Sequence, residues 1–319
     1  MPDKETMHKN ASGQSMRQYR VPAQQQPERL DKVLAQLMPE FSRRRLQGWI
    51  HDGHVQVNGQ VAKVRQPVQS GDCIVVYEQP DQAELAFEPE NIDLTVIAES
   101  PDWIVVDKPA GMVTHPGAGN WQGTLLNALL YHYPELDGVS RAGIVHRLDK
   151  DTSGIMVVAR HERAHTDLVR QLQARTVGRQ YQAFVHGRLK GGAAIDLPIG
   201  RDRRVAVRMT TRSPLAPKPA LTHYVAGRVA RLSDVGELTE VRCALHTGRT
   251  HQIRVHLAAL GYPLLGDVLY GGRRHPLFPR QMLHARQLSF TDFQSGRQCQ
   301  FEAGWPGDFT ALRAHAWPG

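Results

Sequence analysis

At about 150 residues per domain, a chain of 319 residues is long enough for two domains and for a substantial core, which argues against a small fold stapled by disulfides or metal. Lys and Arg (39) outnumber Asp and Glu (31) by eight, and the pI of about 9.6 points to a polyanionic partner, with nucleic acid the leading candidate. Cys73, Cys243 and Cys299 lie far apart, mean hydropathy is −0.42, and the first 28 residues hold no apolar block; a disulfide framework, a cysteine zinc site, secretion and membrane insertion are all disfavoured, and a cytoplasmic setting is expected.

Residues 1–26 are polar and Gln-rich and are expected to form a mobile tail outside the fold. From Pro27 the pattern changes. Leu30, Val33, Leu34 and Leu37 recur at helical spacing, Pro39 ends that helix, and Ser42 is placed to cap a second one carrying Arg43, Arg44 and Arg45 in its first turn. HVQVNGQVAKV alternates around Asn58-Gly59, the strongest short hairpin signal, and the strand CIVVYE closes the unit. Three arginines at a helix N-terminus oppose the macrodipole, so an anionic partner would offset their placement. Residues 79–92 are acidic and Pro-containing and read as a linker.

From residue 93 to 319 short strands alternate with single helices: LTVIAE, WIVVDKP, the helical GTLLNALLYHY, GIMVVAR, the long helix ERAHTDLVRQLQAR, then YQAFVHGRL, LTHYVAGRVA and ELTEVRCAL. The fold class is α+β. Between Arg201 and Pro219 six basic residues face one acidic residue, with three prolines, the composition of an extended basic loop that orders on RNA. The densest polar cluster, His146-Arg147-Leu148-Asp149-Lys150-Asp151-Thr152-Ser153-Gly154, sits between two apolar strands, where sites are usually seated. Two more basic, hydrogen-bonding segments follow, Arg179-Gln180-Tyr181-Gln182-Ala183 and the run from Leu245 to His256.

The two helices with their arginines and the small hairpin sheet over residues 27–78 resemble an S4 RNA-binding domain. HRLDKDTSG, RQYQA, GRTHQIRVH, the segment DKPAGMVTHPG and Leu283-His284-Ala285 together resemble the RluA/RluD family of RNA pseudouridine synthases. That resemblance implies a catalytic domain over 93–319 with a mixed, mostly antiparallel sheet and a central cleft. It also implies isomerisation of uridines in large-subunit (23S) ribosomal RNA, free or in a precursor particle, at adjacent sites in an intersubunit-facing stem-loop, by a monomer without membrane contact. The reaction breaks the N1–C1′ bond and makes a C5–C1′ bond, with no redox or energy input, so no cofactor is expected.

By match to the family motifs the carboxylate is Asp149, acting by attack on C1′ or as a base while a glycal forms. A buried carboxylate needs a fixed cation, and the match makes this Arg254, with Arg249 as second choice. Tyr181 would lie against the uracil ring and handle a proton, Leu283 would pack beside the base, and Arg147 would fill the gap left by the extruded nucleotide. Lys108 reads as a phosphate contact, Arg249 also as an RNA contact, and Arg43, Arg44 and Arg45 as a sequence-independent phosphate anchor. Asp151 is expected to stabilise its loop. Two alternatives stand beside this. A two-metal nuclease would use Asp102, Asp107, Asp149, Asp151 and Asp267, but no acidic pair recurs among them; His246, His251 and His256 recur every five residues, off the helical zinc spacing. A silent RNA-binding factor on the same fold is disfavoured by the intact HRLD, RQYQA and GRTHQIR segments.

Overall fold

The computed structural model describes residues 6–9, 15–23, 26–79, 86–117 and 119–318, and the chain divides into two compact units, Met1–Glu84 and Leu85–Gly319.

In the first unit α1 (Leu30–Leu37) buries Leu30, Val33 and Leu34, and α2 (Arg43–His51) buries Leu46, Trp49 and Ile50, the i, i+3, i+4 stripe that the spacing predicts. Ser42 caps α2, accepting the Arg45 N–H at 3.3 Å. Asn58 and Gly59 both take positive φ (50° and 78°), as a type I′ turn requires, joining β4 (Val55–Val57) to β5 (Gln60–Val61). The sheet runs β1 (Thr6–Lys9), β2 (Ser15–Arg20), β7 (Cys73–Tyr77), β4, β5, with β3 (Glu28–Arg29) and β6 (Pro67–Val68) paired apart.

The tail expectation for 1–26 is therefore corrected over 15–21: β2 pairs antiparallel with β7 from Met16 against Tyr77 to Arg20 against Cys73, and Tyr19 and Val21 enter the core. Residues 1–5, 10–14 and 24–25 lie outside the described residues. The linker ends early as well. Residues 80–85 are not described, but Ala86 is buried, and Asn127 donates to the carbonyls of Ala86 (3.2 Å) and Glu88 (2.8 Å), fastening this stretch to the second unit.

In the second unit the main sheet runs β12 (Gly192–Asp196), β16 (Leu221–Leu232), β17 (Gly236–Leu245), β11 (Gly178–His186), β18 (Leu283–Thr291), β10 (Ser153–Ala159), β9 (Trp103–Lys108), β8 (Thr95–Glu99), with β19 (Gln298–Glu302) on β18. Helices α3 (Leu125–His132), α4 (Glu162–Ala174), α5 (Gln252–Ala259) and α6 (Gly307–Ala316) complete it. Its pairings are antiparallel except β10 with β18, which meet in parallel at Ser153–His284 and Gly154–Ala285. The strands touch closely there: a Cβ on Gly154, whose φ is 119°, would stand 2.2 Å from the Ala285 carbonyl oxygen. Running parallel, β10 and β18 bring their N-terminal ends to the same edge, where β11 passes Tyr181 opposite Ala285. Residues 201–219 are also corrected: β13 (Ile199–Arg201) pairs with β14 (Met209–Thr210) and β15 (Leu215–Lys218) in a small antiparallel sheet, a formed basic flap.

Candidate active site

That edge of the main sheet opens into a cleft of about 590 Å³, within the range of small-ligand sites. Asp149, in the loop entering β10, is the single acidic residue among the described residues that line it, against six arginines: Arg141, Arg147, Arg175, Arg179, Arg249 and Arg254. Such a lining favours an anionic substrate.

Arg254 comes from the first turn of α5 and is buried. Its Nη1 donates to Asp149 Oδ2 at 3.1 Å. Its Nε and Nη2 donate to Asp267 Oδ2 (2.7 Å) and Oδ1 (2.9 Å). Burial pulls the guanidinium pKa down, but the hydrogen bonds and charge of Asp267 and then Asp149 outweigh it and hold Arg254 protonated above its ordinary range. Asp149 keeps 17% side-chain exposure, and among the described residues its side chain accepts only the Arg254 bond.

Tyr181 and Leu283 are both buried cleft-lining residues. Burial pushes the Tyr181 phenol up to about 12, with the Asp149 charge adding to it and Arg179 opposing, so the hydroxyl is protonated at neutral pH. Arg147 is exposed at the cleft. Arg249, the second choice for the Asp149 partner, instead donates from Nε to the Pro219 carbonyl at 3.1 Å, at the base of the basic flap.

Lys108 corrects the sequence reading. It is fully buried, and its Nζ donates to the carbonyls of Pro109 (2.8 Å), Met112 (2.8 Å) and Lys150 (3.1 Å), so no phosphate reaches it. Burial lowers its pKa to about 7, assisted by Arg280 and opposed by Asp149, Asp151 and Asp107. Only the ammonium form has three hydrogens to give, and in that form it ties the Asp149 loop to the 109–112 turn.

The arginine cluster on α2 is modified too. Arg43 donates to buried Asp31 at 2.7 and 3.1 Å, so the compensating anion comes from within the fold. The Arg45 guanidinium lies over Phe41 (4.9 Å) and Trp49 (5.2 Å), and Arg44 is exposed.

The sequence did not reveal several groups at the site. Asp267 figured only among candidate metal carboxylates; its pairing with Arg254 depends on a loop folding back on α5. Arg280 donates to the Asp151 carbonyl (2.8 Å) and Ser153 Oγ (3.0 Å) while paired with Asp308 of α6, bracing the loop from the C-terminal helix. The Arg179 Nε is buried without a hydrogen-bond partner among the described residues. Val157 N–H donates to His146 Nε2 at 3.0 Å, and burial, with Arg179 nearby, lowers that imidazole to about 3. No group of three or more metal-binding side chains occurs among the described residues, and none of their helices is long and apolar enough to cross a membrane.

A family model described as RNA pseudouridylate synthase matches residues 102–259, and one described as S4 domain matches residues 28–74. The chain is 47% identical over 305 residues to ribosomal large subunit pseudouridine synthase D of Pseudomonas aeruginosa, covering 92% of this chain and 93% of that protein. It is 48% identical over 293 residues to the protein of that name from Nitrosomonas europaea, covering 89% and 83%. Among solved structures it is similar to human RNA pseudouridylate synthase domain containing 1, with a TM-score of 0.55 and 28% identity over 72% of this chain and 86% of that one.

Proposed function

The chain belongs to the RNA pseudouridine synthase family, and from that premise we propose that it converts uridines of large-subunit (23S) ribosomal RNA to pseudouridine in the cleft around Asp149. The observation that carries this reading is one carboxylate, held by one guanidinium bond and otherwise open, in a cleft whose other charges are arginines. A flipped nucleotide brings a phosphate for the arginines and a ribose for Asp149; extrusion costs a few kcal/mol, and Arg147, exposed at the cleft, stacks into the vacated space.

In the direct route an Asp149 oxygen bonds to C1′ as the N1–C1′ pair leaves with the uracil. The base turns, C5 attacks C1′, the carboxylate departs with its electron pair, C5 gives up its proton and N1 gains one. In the glycal route Asp149 instead takes the proton from the sugar carbon next to C1′ as the N1–C1′ pair leaves with the uracil, and returns it to that carbon as C5 bonds to C1′; both routes need a carboxylate with an oxygen free of donors. Leu283 supplies an apolar wall beside the base. The Tyr181 ring stacks on the uracil, and its protonated hydroxyl relays the C5 proton. Exposed arginines of the basic flap, together with Arg44 in the first unit, add phosphate contacts that read no sequence.

The test uses transcript tritiated at uridine C5, without added metal. Isomerisation releases label to water, whereas chain hydrolysis or binding alone releases none. Asp149→Asn is expected to abolish release with RNA affinity retained, and Tyr181→Phe to cut turnover by about 100-fold at unchanged affinity. Release by Asp149→Asn at a rate near that of the parent protein would end this reading, and normal turnover in Tyr181→Phe would end the relay.

A further inference from the structure

Asp267 takes no part in the chemistry above, yet its side chain is only 1% exposed. It directly precedes the short turn Val268–Tyr270. With Nε at 2.7 Å and Nη2 at 2.9 Å it occupies one whole edge of the Arg254 guanidinium, the two-pronged geometry that arginine and carboxylate favour. Only Nη1 is turned to Asp149. The face of the same guanidinium rests 5.0 Å from the Tyr270 ring centroid, and the Tyr270 hydroxyl is held by the Met209 N–H (2.9 Å) and by His251 Nδ1 (2.8 Å). Arg254 is thus fixed both in its plane and across it.

The consequence falls on Asp149. An arginine without another partner would swing to pair both prongs with it, taking up both carboxylate oxygens and giving it a whole positive charge. Sharing Arg254 with Asp267 prevents both. We propose that Asp267 is a positioning residue for the isomerisation: by holding two donors of Arg254 it restricts that side chain to one bond with Asp149 and leaves an Asp149 oxygen open toward the ribose. This rests on the reading of Asp149 as the catalytic carboxylate.

The test measures tritium release and RNA affinity with the full chain and the C5-labelled transcript. Asp267→Asn keeps the volume and removes the charge; kcat falls by about 10- to 100-fold, the scale of a misplaced group, while RNA affinity stays within about twofold. Asp267→Glu keeps the ion pair but moves the carboxylate by one methylene, and kcat falls again. A parental kcat in Asp267→Glu overturns the positioning role, since charge alone would then suffice, and this variant carries the test if Asp267→Asn does not fold. In an Arg254→Lys background, where no two-pronged clamp exists, Asp267→Asn costs less than about threefold; losses that multiply instead would mean Asp267 acts independently of Arg254 and would refute the proposal. An active Asp149→Asn removes the underlying reading, whereas an inactive Asp149→Asn beside fully active Asp267 variants removes only this inference.

Discussion

Asp31 in the first unit and Asp149 in the second are both aspartates met by arginine, and they are wired in opposite ways. Asp31 is fully buried and accepts from Arg29, Arg43 and Gln47 at 2.6 to 3.1 Å. Burial works against its charge, but these donors outweigh it and bring its pKa down to about 2. Asp149 has one bond from an arginine that is itself committed elsewhere. A saturated carboxylate is a structural pin, whereas one left short of donors is available to an electrophilic carbon. Residue type and partner type are the same in the two places; the donor count makes the difference.

The largest expected contrast is functional: Asp149→Asn silences the enzyme with little change in melting temperature, while Asp31→Asn, removing a charge on which two arginines converge, destabilises its unit by about 3 kcal/mol. Denaturant unfolding followed by fluorescence in a background that keeps Trp49 and replaces the other four tryptophans measures the second effect, and a loss below about 1 kcal/mol would show that Asp31 is no pin. Lys108→Met sharpens the comparison from the cation's side. Three carbonyls lose their donor, so stability falls by about 2–4 kcal/mol and turnover falls with it, whereas a phosphate-contact role would weaken RNA binding and leave stability untouched. The smallest effect concerns pH. The folded-state pKa of His146 lies near 3, below the unfolded value of about 6.5, so the unfolded chain takes up a proton that the folded chain declines. Stability is therefore fully present above about pH 6.5 and drains as pH falls toward 3. His146→Gln, whose amide oxygen still accepts from Val157, should lose about 1–2 kcal/mol less than the parent between pH 7 and pH 5; equal losses would assign the acid sensitivity to other groups such as His115 and His284, which burial also lowers to about 4.

What the sequence disclosed follows periodicity and motif. The stripes of α1 and α2, the Asn58-Gly59 turn and the main strands carry local patterns strong enough to read, and family motifs pointed to Asp149 and Arg254, which the structure brings within hydrogen-bonding distance. Lys108 went astray because β9 is buried on nearly every residue, so alternation could not separate an inward lysine from an outward one. β2 escaped because Tyr19 and Val21 are a thin apolar signal in a polar stretch, and its strand exists through pairing with β7, far along the chain. The pairing of Asp267 with Arg254 was invisible for the same reason: it depends on a neighbour that only tertiary structure supplies.

The short parallel junction of β10 and β18 joins Ser153 to His284, and Arg280 with Asp308 braces the same loop from α6. Domains fold as units as they emerge during synthesis, so the first unit can form early, whereas the Asp149 loop gains its brace only once β18 and α6 have been made. A truncation that removes α6 takes away Asp308 and with it the brace on the Asp149 loop, so it should abolish isomerisation while leaving the first unit folded.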